Sequence, residues 1–418
     1  MKVAVVGGGS TYTPELVDGF ARLMPSGLSQ LSLVDLAASR LAVVGPFSQR
    51  IFRGYGSSAQ LTWTTDLDAG LDGADIVIIQ LRVGGQTARI SDETFPLECG
   101  CVGQETTGAG GLAKALRTVP VVLDVARRAR AVAAPGAWIV AFTNPVGIVT
   151  RALLDDGHPA VGLCNVAIGL QRYSASLLGV EPAGVTLDHV GLNHLTWERA
   201  AYVDGVDVLP KLLASHGTEI AERVGLPLQL LERSGTVPSY YLRYFYGHDQ
   251  VVAEQRSEKP RGQQVADIER QLLTMYADPT LDTKPELLSE RGGAYYSEAA
   301  VGLIGSLTSD DGAVHAANVR NARTWGFLPD DAVIEVSCQV GAAGAIPVPA
   351  TPLAPDLAGL VGHVAAYEEL AVQAALHGGR DRVYRALLAH PLVGQHALAD
   401  QLTDRLLAAN ADHLAWAR

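Results

Sequence analysis

Val3-Ala4-Val5-Val6-Gly7-Gly8-Gly9-Ser10-Thr11-Tyr12-Thr13-Pro14 is the stretch on which the fold turns. A short β-branched run stops at three glycines and restarts as a polar segment ending in proline, which is the order strand, tight turn, helix. Glycine lets the backbone turn sharply and approach a pyrophosphate closely. The helix that follows aims its first N–H groups and the positive end of its dipole at that anion. Thr13 is the expected N-cap, and Pro14 suits the first helical turn. Gly7, Gly9, Ser10 and Thr11 are therefore candidate contacts to a dinucleotide. The third glycine of G-x-G-x-x-G is missing, so the segment takes its meaning from what surrounds it.

Outward from this turn, strand-like runs at residues 31–34, 76–79, 138–142 and 161–164 alternate with helical patterns at 14–24, 37–52 and 114–133. Continuous apolar strands between helices imply a parallel sheet covered on both faces, the doubly wound, Rossmann-like α/β arrangement. Asp35 closes the second strand at the distance expected of a ribose-binding carboxylate, and an acid there favours NAD over NADP. Beyond residue 165 the helical segments lengthen, and Asp204-Gly205 lies between apolar runs as a tight hairpin turn. Residues 357–409 read mostly as amphipathic helix. The expected division is a dinucleotide-binding part at 1–165 and a second, mixed α+β catalytic and oligomerisation part at 166–418, as in lactate and malate dehydrogenases. With no Pro/Gly/Ser linker between them, the two are expected to pack as one unit with a site between.

Composition narrows the class. The chain has 418 residues, 48% of them hydrophobic and 18% charged, ordinary values for a well-buried enzyme. No apolar run nears the roughly 20 residues of a membrane helix, and the first apolar stretch is too short for a signal peptide. A cytoplasmic location, with no membrane partner, is expected. Four cysteines make neither a disulfide framework nor a CxxC pair set. The net charge of −12 argues against a nucleic-acid partner, while leaving room for an anionic small substrate at local arginines.

Chemistry-bearing residues gather in the middle of the chain. Arg82-Val83-Gly84-Gly85-Gln86-Thr87-Ala88-Arg89 and Gly103-Gln104-Glu105-Thr106 are glycine-rich and polar, suited to bringing side chains close to a ligand or to forming a surface loop. Thr143-Asn144-Pro145 closes a buried strand. Cys164-Asn165 ends another, the edge where parallel sheets collect ligands. Gly191-Leu192-Asn193-His194 follows. One cysteine and one histidine do not define a metal site by spacing, and both have ordinary structural readings. Pro238-Ser239-Tyr240-Tyr241-Leu242-Arg243-Tyr244-Phe245-Tyr246 carries four tyrosines in seven residues. Some of these must simply pack, and a tyrosine base would need a nearby cation.

Taken together and in this order, these segments resemble glycoside hydrolase family 4, particularly its 6-phospho-β-glucosidases. The likeness spans nearly the whole chain, including Leu328-Pro329-Asp330-Asp331 and residues 333–336. The resemblance implies hydrolysis of 6-phospho-β-glucosides to glucose 6-phosphate and an aglycone, by a route outside the usual two-carboxylate scheme. NAD takes hydride from C3 of the sugar, and the resulting ketone acidifies C2. A base removes the C2 proton while a divalent metal, usually manganese, stabilises the developing charge. The aglycone then leaves, water adds, and the hydride returns.

Carried onto this sequence, the resemblance makes Cys164 and His194 the metal ligands and Tyr241 the base, with Tyr240 its adjacent rival. Arg89, Glu105, Asn144, Asn165 and Arg261 match positions around the sugar and its phosphate. Gly7, Gly9, Ser10, Thr11, Asp35, Arg82 and Asn144 match the cofactor side. Arginine suits phosphate because its planar fork donates two parallel hydrogen bonds. Members acting on α-linked substrates tend to carry Asp directly after the metal cysteine; Asn165 here resembles the β-type and cannot act as a general acid. The implied substrate is a phosphorylated disaccharide or aryl glycoside, and the implied assembly a homodimer or homotetramer. Two other readings stand beside this one: an NAD-dependent 2-hydroxy acid dehydrogenase, which would need no metal, and a nucleotide-sensing protein without turnover.

Overall fold

The computed structural model describes residues 1–24, 26–293 and 295–417. Strands β1 (Lys2–Val6), β2 (Gln30–Val34), β3 (Gln60–Thr64), β4 (Ile76–Ile79), β5 (Trp138–Ala141) and β6 (Ala160–Gly162) form the parallel part of one sheet, in spatial order β3-β2-β1-β4-β5-β6. This is the doubly wound order. The central strands are buried on both faces, as their unbroken Val/Ile runs require; every residue of β4 is buried. The helices Thr13–Leu23, Ala38–Gly54 and Tyr296–Ser309 pack as one group, and Gly108–Val132, Val146–Asp155 and Pro355–His377 as another.

Three differences from the sequence reading have physical causes. The third strand was not expected, because Gln-Leu-Thr-Trp-Thr is polar and partly exposed at the sheet edge, so its apolar signal is weak. Thr13 is not the N-cap. Tyr12 takes that position, the helix begins at Thr13, and the Thr13 hydroxyl instead accepts a hydrogen bond from Gln80 Nε2 at 2.9 Å. Residues 85–94 are a helix (Gly85–Thr94) rather than a loop.

The second half contributes to the first half's sheet. β7 (Val185–Leu192), β8 (Leu195–Val203), β9 (Val206–Asp207) and β10 (Val237–Pro238) form a separate antiparallel sheet, with Asp204 and Gly205 at positive φ in the turn between β8 and β9. β11 (Val314–Arg320), β12 (Val333–Gly341) and β13 (Gly344–Pro347) then run antiparallel beside β6 and extend the large sheet to nine strands. Among the described residues no helix is long and apolar enough to cross a membrane.

Candidate active site

In a doubly wound sheet the loops after two neighbouring strands part company where the strand order reverses, here between β1 and β4. A cavity of about 590 Å³ opens at that point. Its wall takes Ser10 and Tyr12 from the turn after β1 and Gln80, Leu81 and Arg82 from the turn after β4. Arg89, Asn144, Asn165, His194, Tyr241 and Arg261 also line it, so residues from both halves of the chain meet there.

The cofactor side is built from backbone. Gly7 has φ +91°, and a Cβ there would stand 2.5 Å from the carbonyl oxygen of Gln80. A Cβ on Gly9 would meet the Asp35 carboxylate at 2.9 Å. That carboxylate accepts from the backbone N–H of Gly9 and of Ala37, each at 2.9 Å. Asp35 thus braces the glycine-rich turn at the end of β2, and only its remaining lone pairs are available to a ribose. Thr11 is fully buried beneath the turn; its hydroxyl bonds with Glu269 (3.2 Å) and Arg291 (2.7 Å). Asn144 precedes a cis proline, and its buried Oδ1 has no hydrogen-bond partner among the described residues although the side chain lines the cavity. A glycine cradle beside an unpaired acceptor fits a bound dinucleotide and sugar.

Next to it stands a compact charge cluster. Glu105 is ion-paired with Arg82, with Arg89 (3.1 Å) and with Lys114 (2.6 Å). Burial works against its charge, but the three cations outweigh it and hold the carboxyl well below the usual range. Arg89 also meets Glu93 at 2.8 Å. Three cations against two carboxylates leave one positive charge in excess, facing the cavity through Arg82, Arg89 and Lys114. Arg261 sits apart at the exposed rim, bonded to Gln264 Oε1 (3.1 Å) and to the carbonyl of Glu290 (2.6 Å).

The third group holds the expected ligands and base. Asn193 and His194 are the two turn residues between β7 and β8, whose last paired residues are Leu192 and Leu195. His194 is held at φ +63°, uncommon for a residue with a side chain. Its Nδ1 lies 2.8 Å from the Thr106 hydroxyl. That hydroxyl gives its one proton to Gln104 Oε1, which also accepts from the Thr106 N–H, so Nδ1 must be the donor and Nε2 carries the lone pair. Burial, with Lys114 assisting, lowers the His194 pKa to about 4, so the ring is neutral and able to ligate.

Cys164 is buried at the start of the helix Val166–Leu178. Burial pushes its thiol up and Glu335 adds to this, while N–H groups of Val166 and Asn165 and the Asn193 side chain favour the thiolate. Among the described residues no three His, Cys, Asp or Glu side chains gather as a metal site. A thiolate and a neutral imidazole are donors that a divalent cation accepts.

Tyr241 stacks flat on His194, ring centroids 3.5 Å apart. Burial raises its hydroxyl pKa, Cys164 and Glu105 push it further the same way, and Arg89 pulls it back. Tyr240 also lines the cavity, is 42% exposed, and accepts a hydrogen bond from Arg243 at 2.8 Å.

Several residues of this site escaped sequence reasoning. Glu335 on β12 accepts from Asn193 Nδ2 (2.9 Å), Asn318 Nδ2 (2.7 Å) and His189 Nε2 (3.1 Å), while His189 Nδ1 meets Glu198 at 2.7 Å. This buried chain anchors the turn that carries His194. Lys114 and Arg291 were also unforeseen, and Thr106 was quoted only within its segment, with no role of its own. A lone lysine within the apolar run 109–116 was the one visible signal.

Family models match both halves: Family 4 glycosyl hydrolase over residues 2–180 and Family 4 glycosyl hydrolase C-terminal domain over residues 189–393. The chain is similar to the 6-phospho-beta-glucosidase of Escherichia coli (strain K12), 34% identical across 98% of this chain and 95% of that protein. It is also similar to the 6-phospho-beta glucosidase of Thermotoga maritima solved with NAD and glucose-6-phosphate, with TM-score 0.92, 32% identity and 99% of each chain covered. A further structure of that enzyme, with manganese, NAD+ and glucose-6-phosphate, matches at TM-score 0.91 and 31% identity, again over 99% of each chain. Malate dehydrogenase from Plasmodium falciparum shares the fold alone, at TM-score 0.55 and 14% identity over 90% of this chain and 99% of that one.

Proposed function

The chain belongs to glycoside hydrolase family 4, and from that premise we propose that it hydrolyses 6-phospho-β-glucosides to glucose 6-phosphate and an aglycone, with NAD and a divalent metal such as manganese as resident cofactors. The observation that carries this reading is the meeting, in one cavity, of the glycine-rich turn with the His194–Tyr241 pair, in a chain alignable end to end with 6-phospho-β-glucosidases. When bound, NAD supplies a reversible hydride acceptor and the cation a Lewis acid for the adjacent sugar oxygens.

The positions of the side chains support the following roles. Cys164 and His194 would hold the cation, with the tautomer of His194 set by Thr106. Tyr241 takes the C2 proton. Its buried hydroxyl is a poor base by itself, so it depends on the cation and on Arg89 to favour the tyrosinate. Asn144 Oδ1 accepts from a sugar hydroxyl, and Asn165 faces the same ring without offering a proton. Arg89, with Arg261 at the rim, takes the 6-phosphate, and Glu105 holds the Arg89 guanidinium in place. Residues 1–165 carry the cofactor, and 166–418 carry the base, one metal ligand and the subunit contacts of a homodimer or homotetramer. Four unpaired thiols suit the reducing cytoplasm.

The test is turnover of p-nitrophenyl β-glucoside 6-phosphate and of its unphosphorylated form, each with and without NAD and Mn²⁺. The phosphorylated compound should turn over only when both cofactors are present, with no net NADH formed. Equal rates on both compounds would remove the phosphate from the proposal, and net NADH would restore the dehydrogenase reading.

A further inference from the structure

Arg291 follows the short helix Leu287–Glu290 and precedes Gly292 and Gly293, both at positive φ, in a segment far in sequence from the cofactor turn. The fold nevertheless lays it on that turn. Tyr12 donates its hydroxyl to the Gly293 carbonyl at 2.9 Å. Arg291 Nε donates to Thr11 Oγ1 at 2.7 Å, and Nη2 reaches Glu269 at 2.9 Å and Ser10 Oγ at 3.4 Å. The guanidinium is largely buried and lines the cavity beside Ser10, at the N-terminal end of the 11-residue helix Thr13–Leu23. Glu269 is shared with Arg40 at 3.6 Å and Gln86 at 3.1 Å, so two cations face one carboxylate and one positive charge is left over.

The geometry points to Arg291 as a pyrophosphate-binding residue that the second half of the chain lends to the glycine-rich turn. The turn and helix end supply N–H groups and a partial positive charge; Arg291 adds a full charge in a water-poor setting, with a planar fork matched to phosphate oxygens. Glu269 holds the fork in place through Nη2. Cofactor binding and the joining of the two halves then depend on the same side chain.

This inference rests on the reading that the chain binds NAD, which titration of the unaltered protein with NAD⁺ tests first; no binding there defeats that reading itself. Given binding, Arg291→Gln should weaken NAD⁺ and ADP-ribose by roughly tenfold or more, as expected for lost hydrogen bonds to a charged group, and leave adenosine within about twofold. The double variant Glu269→Gln/Arg291→Gln should stay as weak as the single one. Unchanged NAD⁺ affinity in Arg291→Gln would overturn the assignment. So would recovery in the double variant, since Arg291 would then only balance Glu269. If Arg291→Gln does not fold, Arg291→Lys carries the test. It keeps the charge without the fork and should weaken NAD⁺ but not adenosine; equal NAD⁺ affinity would again overturn the assignment.

Discussion

The two ends of the cavity are made differently. The cofactor end is backbone: a glycine turn after β1, braced by Asp35, with its shape set by what a Cβ would hit. The chemical end is side chains delivered from far apart: Cys164 after β6, His194 from a hairpin turn, Tyr241 from the three-residue 3₁₀ turn Tyr240–Leu242. The glycine turn itself is specified locally, with Arg291 as the side chain it takes from a distant segment. A site assembled from three distant segments needs a second layer to hold it, here Thr106 behind His194 and the Glu335–Asn193 pair behind the turn. The contrast predicts that single-atom changes at the chemical end abolish turnover without loss of NAD binding, whereas changes at the glycine turn weaken NAD binding and leave metal binding intact.

The largest effect should come from Tyr241→Phe. If Tyr241 is the base proposed, its loss costs roughly 10²–10⁴ in rate, and NAD affinity, measured by titration, should be unaltered. A parallel loss of NAD binding would erase the distinction between the two ends. Glu335→Gln comes next. It replaces an acceptor facing two amide groups with one that also presents N–H, and should weaken Mn²⁺ binding by about 10–100-fold, the usual range for a residue that orients a metal ligand. Calorimetric titration with Mn²⁺ reads this directly, and intact metal affinity would confine Glu335 to packing.

At the other end, Gly7→Ala places a methyl group 2.5 Å from a carbonyl oxygen at φ +91°. The left-handed strain alone is about 1–2 kcal/mol, so NAD affinity should fall by roughly tenfold or more while Mn²⁺ binding stays. Equal loss of both would mean that the ends are not separable.

The last effect concerns the brace rather than the site. Burial opposes charge on His189, but Glu198 and Glu335 at its two nitrogens prevail and raise its pKa to about 10. The folded value lies above the unfolded value of about 6.5. The stabilisation is therefore complete below pH about 6.5 and lost as pH climbs toward 10, on the order of a few kcal/mol. Urea unfolding at steps from pH 6.5 to 10 should show this decline in the unaltered chain and a flatter profile in His189→Gln.

The same contrast explains what could be read from the chain. The β1 turn and the doubly wound parallel arrangement were legible because glycine runs and apolar strands are local signals, and the same signals singled out the segments around Cys164, His194 and Tyr241. β3 was not, since an exposed polar edge strand lacks the apolar run that marks its neighbours. The extension of the sheet by β11, β12 and β13 was not either, because pairing across more than 150 residues leaves no local trace. Arg291, Glu335 and Lys114 are ordinary charged residues in sequence. Only burial beside partners from other segments distinguishes them. Of the paired tyrosines, the resemblance favoured Tyr241 with Tyr240 its rival, and the fold stacks Tyr241 on His194 and bonds Tyr240 to Arg243.

The central claim is that the sugar is transiently oxidised and loses its C2 proton before the glycosidic bond breaks. Running the hydrolysis in deuterated water and examining glucose 6-phosphate by NMR tests this most directly. The account predicts deuterium at C2 of the product, appearing with the unaltered protein and absent with Tyr241→Phe; a product formed at full rate with protium retained at C2 would contradict it.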